Sequence, residues 1–235
     1  MTRKLALVAT AGLVGAAAFL SLGFALAGSN WHDAARLWIA DKSTCGQNAS
    51  GRDRVTLPLT SAESFIIRMP ASVHFQPGGE PQAIISGDAA VLDHIRIDGG
   101  ELSLDCDPGW FSPRVDVRLS GPSVARWEVH GSGDLVLSQV DQPRLDMVMK
   151  GSGSATATGK ADVVDVTIAG SGNVSFEKLV AQLVQVEVHG SGDANLMAQA
   201  EADVFIAGSG DVEVIGPAVM RRSVVKGSGN ISQTR

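Results

Sequence analysis

The sequence predicts an all-β protein, a parallel β-helix or β-solenoid with a repeat of about 19 residues. Three observations carry this reading. The tripeptide Gly-Ser-Gly recurs six times at nearly constant spacing through the C-terminal half. Apolar and polar residues alternate on both sides of these copies, as in strands with one buried face. Hydrophobic residues make up 44% of the chain and Gly numbers 27, while aromatics are only 5% and Tyr is absent. The core is therefore aliphatic and the turns are many.

In chain order, residues 1–27 are a targeting segment. Arg3 and Lys4 precede an uncharged run from Leu5 to Ala27, and Ala25-Leu26-Ala27 offers the small residues that a signal peptidase reads. The run is also long enough to span a bilayer as a helix. Two readings stay open: a cleaved signal peptide, or an uncleaved anchor that keeps the chain in contact with the inner membrane. Either one exports the rest of the chain to the periplasm or cell envelope. Residues 28–54 read as a linker, with a short capping helix over 30–41 that would set Trp31, Ala35 and Trp38 on one face.

Residues 55–235 are expected to form a single solenoid domain, in two parts. Over 55–127 the strands are irregular. Phe65 to Met69 and Val73 to Gln76 read as strands, the second entering the turn Pro77-Gly78-Gly79. Ile95-Arg96-Ile97 and Leu102-Ser103-Leu104 flank Asp98-Gly99-Gly100, a hairpin signal. Terminal units of a solenoid depart from the repeat because they cover its open end. This part is expected to supply the first layers and a cap.

Residues 128–235 are regular. The corners are Gly131-Ser132-Gly133, Gly151-Ser152-Gly153, Gly170-Ser171-Gly172, Gly190-Ser191-Gly192, Gly208-Ser209-Gly210 and Gly227-Ser228-Gly229, at intervals of 20, 19, 20, 18 and 19 residues. Two residues before them stand Val129, Met149, Ile168, Val188, Ile206 and Val225; two residues after them stand Leu135, Ala155, Val174, Ala194, Val212 and Ile231. One unit cannot bury such a row alone, but layers stacked at ~4.8 Å bury a continuous column. A sharp bend in every layer calls for backbone conformations open to Gly, and stacked corners leave little room for a Cβ. The corners are read as structural, with their serines hydrogen-bonded in a ladder.

The residue after each corner is Asp134, Ser154, Asn173, Asp193, Asp211 or Asn230, types that accept backbone hydrogen bonds in turns. Asp193 and Asp211 fall on adjacent layers and form the one candidate metal site, for Ca²⁺. No other cofactor is expected. Cys45 and Cys106 in an oxidising compartment point to a disulfide, the alternative being two separate buried thiols. Formal net charge is −6, and −8 once residues 1–27 are set aside, with 17 basic against 25 acidic residues. Such a chain lacks the basic footprint of a nucleic-acid binder.

The run from Phe65 through VHFQPGGEPQAIISGDAAVLDHI, then Asp98-Gly99-Gly100-Glu101-Leu102-Ser103-Leu104, Trp127-Glu128-Val129-His130 and the later corners resembles the auto-transporter adhesin head GIN domain family, bacterial envelope domains of unresolved function. The resemblance runs from about Ser64 to the C-terminus. It implies a parallel β-helix-like fold with an adhesin-type or scaffold role, and it brings no catalytic residues.

Catalytic motifs fail on inspection. There is no GxSxG elbow. Gly153 to Lys160 imitates a P-loop but has five residues between its glycines, and Ala161 stands where a Ser or Thr is required. The five histidines have no metal-ligand spacing; His130 and His189 share the position before the corner with Lys150 and Lys226, an outward column read as solvated surface. The expectation is a non-enzymatic envelope protein presenting a surface to an unknown ligand or to itself. Two alternatives stand beside it: a polysaccharide-active β-helix enzyme, and a scaffold that polymerises end to end.

Overall fold

Aliphatic residues at alternate positions make each segment a strand with one dry face, and the pairing of those strands sets the architecture. The computed structural model describes residues 44–45, 51–60, 62–107 and 114–235; the targeting segment and the helix expected over 30–41 lie outside them. In order the elements are β1 (Arg54–Pro58), β2 (Ser64–Ile67), β3 (Ser72–Gly87), α1 (Ala89–Leu92), β4 (Ile95–Asp98), β5 (Glu101–Leu104), β6 (Val115–Gly121), β7 (Arg126–Gly131), β8 (Asp134–Gly151), β9 (Ser154–Gly170), β10 (Asn173–Gly190), β11 (Ala194–Gly208), β12 (Val212–Ile215), β13 (Val219–Gly227) and β14 (Ile231–Thr234).

The described residues form a β-solenoid with almost no helix. Each of β8 to β11 leaves one Gly-Ser-Gly corner and bends round to the next, so the six corners bound five turns. Neighbouring turns pair in parallel. Val129, Met149, Ile168, Val188, Ile206 and Val225 stand in one register column. Leu135, Ala155, Val174, Ala194, Val212 and Ile231 stand in another. The first five members of each column are at most 1% exposed. The unequal repeat lengths are absorbed at bulges beyond the post-corner segment. One lies between Leu137 and Val140 of β8, where Gln139 takes φ 55°, and another between Phe176 and Val180 of β10.

The corner ladder is carried by the backbone. Ser152, Ser171, Ser191, Ser209 and Ser228 each donate their N–H to the first-glycine carbonyl of the previous corner, at 2.8–2.9 Å. The expected serine-hydroxyl ladder is corrected accordingly: the hydroxyl-bearing residues are exposed, and no Ser–Ser side-chain bond joins the described corners. The backbone stacks so closely that the tripeptide needs glycine on both sides. A Cβ on Gly190, at φ 139°, would lie 2.2 Å from the Gly170 carbonyl oxygen.

The N-terminal part supplies one further layer and then departs from the solenoid. Phe65 and Ile67 of β2 pair with Trp127 and Val129, and Val73 and Phe75 of β3 pair with Leu135 and Leu137. Met69-Pro70-Ala71 is thus the corner of that layer, with Asp134 N–H donating to Ala71 O at 2.9 Å. Trp127, buried, meets Phe65 and Phe75 with centroids 5.3 and 5.0 Å away. The rest is a mixed cap. β6 sits between the two arms of β3, Val117 facing Val73 and Ile85, and β1 runs antiparallel to the second arm. β4 and β5 form the expected antiparallel hairpin, and β5 joins β2 in parallel.

Cys45 and Cys106 form a disulfide with Cα atoms 5.1 Å apart, closing a separation of 61 residues. Beside it Thr44 N–H donates to Asp107 O at 2.8 Å, and Asp107 N–H to Thr44 Oγ1 at 2.9 Å. Among the described residues no helix is long and apolar enough to cross a membrane.

Candidate ligand-binding groove

Residues five places before each corner point outward, and parallel register stacks them. Arg126, Asp146, Asp165, Gln185, Asp203 and Arg222 form one row. The row lies in a cavity of about 370 Å³, walled by Arg144 on one side and by Thr167, Glu187 and Phe205 on the other. At ~4.8 Å per layer its five steps extend roughly 24 Å along the stack.

The two halves of the groove differ in electrostatics. Arg144 binds Asp146 through Nε at 2.7 Å and also pairs with Asp165. Burial pushes the Asp165 carboxyl above its ordinary range; Arg144 opposes this, while Asp146 and Glu187 reinforce it. Asp146 Oδ1 and, two layers beyond Asp165, Asp203 Oδ1 are both enclosed without a hydrogen bond; Asp146 Oδ1 has the Arg144 ion pair, and Asp203 has no ion pair so close. Its register neighbour Arg222 places its guanidinium over the Phe205 ring instead, 5.0 Å from the centroid, and the Lys226 ammonium lies 5.5 Å from the same ring.

A second polar cluster joins the cap to the first regular layers. Arg68 pairs with Glu101 at 2.9 Å and lies 3.4 Å from His130 Nδ1. With Arg68 as donor to Nδ1, His130 Nε2–H donates to Glu128, at 3.1 Å. Arg126 and Lys150 reach the same carboxylate. The His130 bond, aided by Arg126 and Lys150 and opposed by burial, holds the Glu128 carboxyl down at about 2.

The residues singled out from sequence are distributed elsewhere. The serines of the six corners are exposed on a separate edge of the stack. Asp193 and Asp211 sit on adjacent layers, and each accepts the backbone N–H of the next layer's equivalent residue: Asp211 N to Asp193 Oδ1 and Asn230 N to Asp211 Oδ1, both 2.8 Å. Among the described residues one trio of metal-ligand types converges, His94, Asp105 and Cys106. The Cys106 sulfur belongs to the disulfide, and His94 Nδ1 already meets Asp105 at 2.8 Å. Of the histidines read as solvated surface, His189 is half exposed beside Glu187 at 3.7 Å, whereas His130 is largely covered in the Arg68–Glu128 cluster, because the cap packs over that first layer. In the sequence, Asp146, Asp165, Gln185 and Asp203 lie five residues before their corners, where alternation places them on the outward face. Sequence reasoning did not pick out Arg126, Arg144, Phe205 or Arg222 as groove residues.

Solved structures of similar fold include two adhesins so described. A putative adhesin of Bacteroides fragilis is 16% identical, with a TM-score of 0.59 over 79% of this chain and 98% of that one. A putative adhesin of Parabacteroides distasonis is also 16% identical, with a TM-score of 0.52 over 79% and 98%. At such identities the likeness is one of fold. No curated protein matches the chain. Residues 66–218 match the family described as "Putative auto-transporter adhesin, head GIN domain". That match spans more than half of the sequence, and the chain belongs to the head GIN domain family.

Proposed function

We propose that this protein is a non-enzymatic, exported cell-envelope module of adhesin type, and that it binds an extended ligand along the groove. The observation that carries the reading is the row from Arg126 to Arg222. Side chains fixed on paired strands present one line of donors and acceptors across six layers. A line of equivalent positions suits a linear ligand better than one reaction centre, and the Asp146 and Asp165 carboxylates are tied to Arg144. The disulfide and the family support export. The test is incubation of the purified protein with insoluble envelope polysaccharide, then assays of both pellet and products. Retention in the pellet without new reducing ends or unsaturated sugars is expected. Turnover abolished by Asp165→Ala would overturn the non-enzymatic reading, and failure to be retained would count against binding.

Self-association is a second reading, favoured by β13, which among the described strands pairs on one side only. Val225 occupies a column that is fully buried in the five layers before it, yet is 38% exposed. A further layer from a second copy would cover it. Light scattering across a concentration series measures this, and a constant monomer mass would eliminate it.

A further inference from the structure

Resting on that reading of the groove, we propose that its ligand is an uncharged, hydroxyl-rich oligosaccharide lying along the stack. Asp203 and Gln185 are its hydrogen-bonding seat and Phe205 its apolar wall. The groove lies on the face of β9, β10 and β11, whose backbones are paired to one another. A peptide strand therefore finds no free edge there, and recognition falls to side chains. Asp203 and Glu187 accept hydrogen bonds, while Gln185 and Thr167 both accept and donate. Hydroxyl groups answer that pattern because they do both. An acyl chain would strip these groups of water and return no hydrogen bond. The charged lining sets Arg126, Arg144 and Arg222 against Asp146, Asp165, Glu187 and Asp203, so neither a polyanion nor a cation finds a groove of the single opposite sign.

The second observation is Asp203 itself. An enclosed carboxylate oxygen without a hydrogen bond lowers stability; the register neighbour Arg222 lies over Phe205, and Arg221 acts on Asp203 only through its charge. The carboxylate turns about a soft terminal torsion, which lets a hydroxyl entering the groove engage it. A polar group left unsatisfied at a cost to the fold is a mark of a functional site.

The experiment titrates neutral, uronic-acid and amino-sugar oligosaccharides, each at least four units long, onto four proteins by isothermal calorimetry. These are the wild type, Asp203→Ala, Gln185→Ala and, as a control outside the groove, Asp193→Ala; urea midpoints are measured for all. A neutral oligosaccharide should bind the wild type, and Asp203→Ala and Gln185→Ala should weaken it by about tenfold or more. The control should stay within about twofold of wild type, since its side chain lies outside the groove. The urea midpoint of Asp203→Ala should be no lower than that of the wild type, because an unsatisfied carboxylate has been removed. Neutral binding indifferent to both groove substitutions would overturn the proposal. Binding confined to uronic or amino sugars and lost in Asp203→Ala would overturn the ligand class and leave the groove as the binding face. If no ligand responded to any groove substitution, both would fall.

Discussion

Three alanine substitutions separate the two reasons for glycine at the corners, because the stack presents each reason alone and then both together. Gly131 has φ 97°, but a Cβ there would meet nothing within 4 Å. Gly192 shows no left-handed φ, yet its Cβ would lie 2.2 Å from Gly172 O and 2.6 Å from Ile168 Cγ2. Gly190 combines φ 139° with a contact of 2.2 Å to Gly170 O, the acceptor of the 2.8 Å bond from Ser191 N–H. Gly131→Ala therefore carries only backbone strain, about 1–2 kcal/mol. Gly192→Ala carries overpacking against a backbone that cannot rotate aside, about 1–3 kcal/mol and toward the upper end. Gly190→Ala should combine the two and strain an interlayer hydrogen bond as well, for about 3–5 kcal/mol.

The assay is equilibrium urea unfolding monitored by far-ultraviolet circular dichroism with the disulfide intact. A repeat protein loses cooperativity when one interface weakens, so the shape of the transition is as informative as its midpoint. The order should be Gly131→Ala mildest and Gly190→Ala most severe. A neutral Gly192→Ala would refute the argument that stacked backbone, and not conformation alone, demands the tripeptide. Equal losses at Gly131 and Gly190 would refute it too.

The cap yields two further outcomes. Replacing Cys45 and Cys106 by Ser releases a loop of 61 residues and should lower stability by about 4 kcal/mol on the chain-entropy model; an unchanged urea midpoint would show that the bridge does not constrain the unfolded chain. The Glu128 carboxyl, held at about 2 in the fold against 4.5 ordinarily, binds its proton more weakly in the folded state. Its contribution is therefore complete above pH 4.5 and fades as pH falls toward 2. Glu128→Gln should cost about 1–2 kcal/mol at neutral pH, solvent screening reducing the full effect. It should also flatten the acid limb of a midpoint-against-pH curve, and parallel curves for variant and wild type would exclude this role.

The solenoid was legible because inward positions repeat with the layers. Ile168, Val188 and Ile206, two residues before their corners, pair in register and are fully buried, as their spacing required. The first layer escaped the motif for a physical reason. Its corner is Met69-Pro70-Ala71, and the β2–β5 register ends at Ile67↔Leu102, short of that corner. A side chain there does not meet a stacked carbonyl as one at Gly190 would. The split of β3 around β6 was also out of reach, since Val73 and Ile85 find their shared neighbour Val117 about forty and thirty residues along the chain. Alternation says that Asp203 faces out. It cannot say that the outward face is concave there, or that Arg222 leaves Asp203 for Phe205.

In a stack of like layers the two sides of each strand answer to different constraints, and this locates function. Inside, any residue must fit the layer on either side of it, so Ile168 and Val188 are interchangeable in kind and carry no information about a ligand. Outside, neighbouring layers tolerate almost any side chain, and ladders that help the fold are easily formed. The column from Asn173 to Asn230 is such a ladder, each side-chain oxygen taking the next backbone N–H. The groove row breaks that economy. Arg144 pairs with Asp146 and Asp165, the next layer offers Gln185, and the layer after that holds Asp203, whose enclosed Oδ1, like that of Asp146, accepts no hydrogen bond but has no ion pair beside it. Packing accounts for the inward columns, and pairing for the ladder beside the corners. Asp203 is the position where the architecture supplies a reason against the residue, and a bound hydroxyl supplies the reason for it.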